Sequence, residues 1–140
     1  MTKDFYEFID HTADIGIIVR SETRKELFEK TALAAFDIIG DLKQITPKEQ
    51  IDVVVQGEDD EELMVNWLNE LIFLFDAKGW LFSQFEIKKI NDKILKATCS
   101  GEKFKPQVHR VQTELKAATY HSILISQDRI GWSLRIIFDV

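Results

Sequence analysis

Apolar residues change their spacing along the 140-residue chain, and each change marks an element. Phe5 to Ile9 and Ile15 to Arg20 read as two short strands. A helix is expected to begin near Ser21 or Thr23, because Thr23 followed three residues later by Glu26 is a capping-box pattern. Phe28, Ala32, Ala35 and Ile39 then recur at helical spacing, and Gly40 ends the run. Beyond a turn at Thr46-Pro47, the β-branched stretch Ile51 to Gln56 reads as a strand. Acids from Glu58 to Glu62 then gather where a helix N-terminus favours negative charge. The helix they open, about Asp60 to Lys78, is apolar over most of its circumference, which marks it as the most buried one. Gly79 is its stop.

After Gly79 the period falls from 3.6 to 2. Phe82 to Asn91 and Lys93 to Ser100 read as a hairpin joined near Asn91-Asp92. Lys105-Pro106 is a break, and Gln112 to Tyr120, His121 to Gln127 and Trp132 to Phe138 read as three further strands. The pattern predicts one α+β domain over residues 1–140, with two helices packed on a largely antiparallel sheet.

Composition supports a self-sufficient core. The chain is 45% hydrophobic and carries ten Phe and three Trp, so the fold needs no metal or disulfide to hold it. A single cysteine, Cys99, excludes an intramolecular disulfide and a Cys-rich zinc site. It falls in the alternating set Leu95, Ala97, Cys99, which places the thiol in the core. The longest apolar region, Leu63 to Phe75, is interrupted by Asn66, Asn69 and Glu70 and is shorter than the ~20 residues a bilayer requires. With no signal-like N-terminus, a soluble, cytoplasmic protein is expected, without membrane contact. The formal net charge of −6 favours binding to a basic protein or a cation over direct binding to RNA.

The densest polar cluster is the loop Asp10-His11-Thr12-Ala13-Asp14-Ile15-Gly16. Asp10 and Asp14 are hard oxygen donors that suit Mg²⁺, Mn²⁺ or Ca²⁺, and they are equally able to cap backbone amides in a turn. At the other end, Asp139-Val140 follows directly from a core strand, which pairs the Asp139 side chain with the Val140 terminal carboxylate. If that strand lies beside the first one, Asp14, Asp139 and Val140 meet around one cation. His11 can ligate a metal, move a proton or orient an aspartate. Asn69 and Glu70 are polar residues on a buried helix and need partners, so a supporting role behind the Asp loop is expected. His109 is expected on the surface and His121 as a structural residue at a strand junction. The chain lacks a Gly-rich phosphate loop, a Walker lysine, a nucleophile-elbow serine and a zinc-spaced Cys/His pair. Hydrolysis and nucleotide binding are therefore not expected.

Four separated motifs resemble the archease family: the loop Asp10 to Gly16, Trp67-Leu68-Asn69-Glu70-Leu71, Lys116-Ala117-Ala118-Thr119-Tyr120-His121, and the ending Ile137-Phe138-Asp139-Val140. They occur in the family's order and span nearly the whole chain. Ala118 stands where the family commonly has Val, a departure that should alter packing alone. The resemblance implies a protein that assists the RtcB-type RNA ligase, which seals a 2′,3′-cyclic phosphate or 3′-phosphate end to a 5′-hydroxyl in tRNA splicing. That ligase uses GTP and manganese and is guanylylated on its own histidine. Archease promotes this guanylylation and repeated turnover, touching RNA through the ligase. The resemblance also implies divalent-cation ligands at Asp14, Asp139 and Val140, with calcium the associated ion and manganese an alternative. A chaperone-like module for RNA-modifying enzymes is the other role it implies.

Overall fold

The architecture follows from where each backbone finds its hydrogen bonds. The structure, a computed structural model, describes residues 5–9 and 13–140. The strands are β1 (Tyr6–Ile9), β2 (Ile15–Ser21), β3 (Glu49–Gln56), β4 (Trp80–Ile90), β5 (Ile94–Lys103), β6 (Ala117–Ala118), β7 (Leu124–Gln127) and β8 (Trp132–Asp139). The helices are α1 (Arg24–Ile39) and α2 (Asp60–Lys78), with a short 3-10 turn at Leu42–Gln44. Every pairing is antiparallel, but there are two sheets where the sequence suggested one. One runs β1-β2-β8-β6, with β7 also on β8, and the other runs β3-β5-β4.

Both helices start as their sequences dictate. The Thr23 hydroxyl accepts from the Glu26 N–H at 3.1 Å, and the Glu26 carboxylate accepts in return from the Glu22 N–H at 3.0 Å. Asp59, Glu62 and Glu58 repeat the arrangement at α2, at 2.8 and 2.9 Å. Gly79 ends α2 in the left-handed region at φ 74, donating to the Leu74 and Phe75 carbonyls. The hairpin turn is an Asx turn: the Asn91 side-chain oxygen accepts from the N–H groups of Lys93 and Ile94.

α1 packs against β2 and β4, and α2 against β3 and β6, so the two helices join both sheets around one core. Trp67, Phe28, Phe36, Phe82 and Phe138 are fully buried at its centre. Each such side chain contributes roughly 1.5–3 kcal/mol by leaving water. The Trp67 indole N–H donates to the Phe28 carbonyl at 3.0 Å, satisfying its one polar atom and tying α2 to α1. Cys99 lies in this core, fully buried, as the alternation indicates. At the open edge of β4, the Glu29 carboxylate of α1 accepts from the Ile87 N–H at 2.9 Å and covers the edge.

The third predicted strand region departs from expectation. Of Gln112 to Tyr120, Ala117–Ala118 alone forms a strand. Gln112 and Thr113 instead donate to the Ile39 carbonyl at the end of α1. Tyr120 to Ser122 form an exposed turn in which Ser122 has φ 56, so strand structure resumes at Leu124. Among the described residues, no helix is long and apolar enough to cross a membrane.

Candidate functional site

The register of β2 against β8 sets the position of the carboxylates. Ile15 lies opposite Phe138, Ile17 opposite Ile136 and Val19 opposite Leu134. Ile17, Val19, Leu134, Ile136 and Phe138 are buried in the core. Because successive side chains alternate between faces, Asp139 projects from the opposite face. Asp14 and Asp139 are the residues next after the last pair of that register, Ile15 opposite Phe138. The last strand thus pairs with the second strand and not the first, and it is this neighbour that carries Asp14.

The same face explains the motif glycine. A Cβ on Gly16 would lie 2.6 Å from Ile9 Cγ1 and 3.6 Å from Ile137 Cγ1. The missing side chain lets Ile9 and Ile137 approach over the strand, and Ile137 is 1% exposed. Ala13, just before Asp14, has φ 67, a left-handed conformation that costs a non-glycine residue about 1 kcal/mol.

Asp139 is held from its other side. Ala117 lies opposite it on β6, and the Asp139 carbonyl accepts from the Lys116 N–H at 2.9 Å. The Thr119 N–H and hydroxyl both donate to the Ile137 carbonyl, at 3.0 and 2.9 Å. Ala118 turns its own backbone groups towards α2. Its N–H donates to Asn69 Oδ1 at 2.7 Å, and its carbonyl accepts from Asn69 Nδ2 at 3.2 Å. Asn69 therefore replaces a missing neighbouring strand, supporting β6 and through it β8, where sequence reasoning placed its support behind the Asp loop. Glu70 is half-buried beside it and makes no hydrogen bond or ion pair among the described residues. Asp10 and His11 lie outside the described residues. Val140 is 40% exposed at the end of β8.

Among the described residues, no three His, Cys, Asp or Glu side chains group closely enough to hold a metal on their own. Asp14 and Asp139, each one residue beyond the last pair of the β2–β8 register, are side-chain carboxylates. These are oxygen-only donors of the kind a hard divalent cation takes.

A second polar cluster was not legible in the sequence. His109, expected on the surface, is 6% exposed, and Glu102 of β5 is 4% exposed. Glu102 Oε2 accepts from the Thr46 N–H at 2.7 Å and lies 3.0 Å from His109 Nε2. His109 Nδ1 accepts from the Lys105 N–H at 2.9 Å, so the ring carries its proton on Nε2 and donates it to Glu102. Lys48 Nζ lies 3.4 Å from the other carboxylate oxygen. The Thr46 amide, then His109 and Lys48, hold the Glu102 carboxyl down to about 2. The cluster ties the loops after the 3-10 turn and after β5 together. Its role is structural.

The chain matches the Archease protein family (MTH1598/TM1083) over residues 6–140. It is 40% identical over 139 residues to the protein archease of Pyrococcus furiosus, covering 96% of this chain and 98% of that one. The archease of Methanosarcina mazei is 35% identical over 139 residues, covering 96% and 95%. Among solved structures, protein 1598 of Methanobacterium thermoautotrophicum superposes with a TM-score of 0.82 at 34% identity, covering 96% of this chain and 98% of that one. A Thermotoga maritima protein described as an archease and possible chaperone gives 0.61 at 26% identity, covering 94% of each.

Proposed function

This chain belongs to the archease family, and on that premise we propose that it is a protein cofactor of an RtcB-type RNA ligase, not an enzyme itself. In this reading it promotes guanylylation of the ligase and its repeated turnover in tRNA splicing and RNA repair. The observation that supports the reading is the β2–β8 register, whose last pair, Ile15 opposite Phe138, is followed directly by Asp14 on one chain segment and Asp139 on the other.

Asp14, Asp139 and the Val140 carboxylate would hold a divalent cation, calcium or manganese. Bound there, the cation supplies positive charge that offsets phosphate charge during nucleotide transfer. The chain's own residues position the donors. Asn69 fixes β6, Lys116 and Thr119 fix β8 through backbone bonds, and Gly16 lets the sheet close beside the pair. The acidic balance of the chain suits approach to a basic, RNA-binding enzyme.

Guanylylation of the cognate ligase with GTP and manganese, with and without this protein, tests the proposal. Stimulation should be present with wild type and lost with Asp14→Ala and with Asp139→Ala, each of which stays folded. A fully active Asp139→Ala variant sinks it.

A chaperone-like role is the second reading, favoured by the similarity to the Thermotoga maritima protein described as a possible chaperone. It predicts suppression of client aggregation that is indifferent to both aspartates.

A further inference from the structure

The last turn of α2 and the segment 104–114 enclose a pocket of about 430 Å³, away from the carboxylate pair. Phe75, Phe104 and Val111 line it with Gly79, and its two charged residues, Asp76 and Glu114, are both acidic. Phe104 is 37% exposed and Val111 38%, so the apolar wall is open to solvent. Among the described residues neither acid takes part in an ion pair or hydrogen bond. Lys103 is committed elsewhere: its ammonium donates to the Lys78 carbonyl at 2.8 Å and sits 4.7 Å from the Trp80 ring centroid. Partial desolvation at the pocket wall, then the charge of Glu114, raises the Asp76 carboxyl above its ordinary value.

We propose that this pocket receives an arginine side chain of a partner protein, its aliphatic stem against Phe75, Phe104 and Val111 and its guanidinium between Asp76 and Glu114. The chemistry selects this occupant. An anion is repelled by both acids. A hard cation gains nothing from apolar and aromatic walls. Lysine offers a compact, strongly hydrated point charge, whereas guanidinium is planar, lies flat on aromatic rings and presents donors in a fork that two carboxylates share.

The pocket is joined to β8 through the chain. Glu114 lies two residues before Lys116, whose N–H holds the Asp139 carbonyl. The identity of that partner, the ligase, rests on the function proposed above, while the arginine specificity does not.

Affinity for the cognate ligase, measured by isothermal titration, compares wild type with Asp76→Asn/Glu114→Gln, two exposed positions where amides preserve shape. The double variant should bind at least about tenfold more weakly. Its stimulation of guanylylation should return at saturating concentration, because Asp14 and Asp139 are intact. An unchanged Kd overturns the pocket as a docking point and leaves the cofactor reading standing. If wild type does not bind the ligase at all, the cofactor reading falls and a ¹⁵N-resolved titration with N-acetyl-argininamide decides the pocket. Shifts confined to Phe75, Phe104, Val111 and their neighbours, absent with the neutral citrulline amide, support it. Equal or absent shifts overturn it.

Discussion

Replacing Asn69 by alanine removes a two-bond clamp and tests whether β6 is held from α2. The Ala118 N–H and carbonyl bond to the Asn69 amide at 2.7 and 3.2 Å, and Ala118 is 4% exposed. Without Asn69 both backbone groups are left unpaired away from bulk water, at about 1–2 kcal/mol each, or about 2–4 kcal/mol together. Total stability for a domain of this size is roughly 5–15 kcal/mol, so the loss is a large share of it. At roughly 3 °C per kcal/mol, the melting temperature should fall about 6–12 °C. Asn69→Asp is the sharper variant. A carboxylate still accepts from the Ala118 N–H but faces the Ala118 carbonyl with an oxygen, so much of the loss should persist. Urea unfolding at neutral pH, with equal m-values, measures both. A loss under about 0.5 kcal/mol for Asn69→Ala would refute the clamp, since surface changes alone account for that much.

Glu102→Gln should destabilise the protein most above pH ~4.5. The folded carboxyl is depressed from 4.5 to about 2, so its stabilisation is fully present above the unfolded value and disappears as pH falls through the folded one. The gap between wild-type and variant melting temperatures should therefore close between those pH values. Gly79→Ala should cost about 1 kcal/mol by chemical denaturation, from the left-handed φ of 74 alone, because the nearest atom to the new Cβ is 4.0 Å away. Gly101→Ala should cost much more and reduce soluble yield, because its Cβ would meet the Leu81 carbonyl oxygen. Cys99 should resist Ellman's reagent at pH 8 in the folded protein and react on unfolding, because burial pushes its thiol up to about 12.

Local features were legible because their causes are local. The Thr23 and Asp59 caps, the Gly79 stop and the Asn91 turn each depend on residues a few positions apart, and the structure has all of them. Strand order was not legible, because the pairing of β8 with β2 joins the two ends of the chain. The aspartates stood out as candidate hard donors, but the second strand as the neighbour of β8 had to come from the fold. Gln112 to Tyr120 alternates well enough to read as one strand, yet its backbone is claimed by the Ile39 carbonyl and the Asn69 amide, neither of which alternation can show. His109 looked exposed in a polar turn for the same reason: Glu102, which buries it, acts through the fold.

The central claim is that Asp14 and Asp139 form one cation site through which the chain serves a ligase. Multiple-turnover ligation, with RNA in excess over the cognate ligase, tests it most directly using wild type, Asp14→Asn, Asp139→Asn and the double variant. The account predicts that each single variant, with an unchanged melting temperature, lowers turnover to the level seen without the protein, and that the double variant is no worse, because the two residues act as a unit. Independent, partial losses that add in the double variant, or full turnover by either single variant, would contradict it.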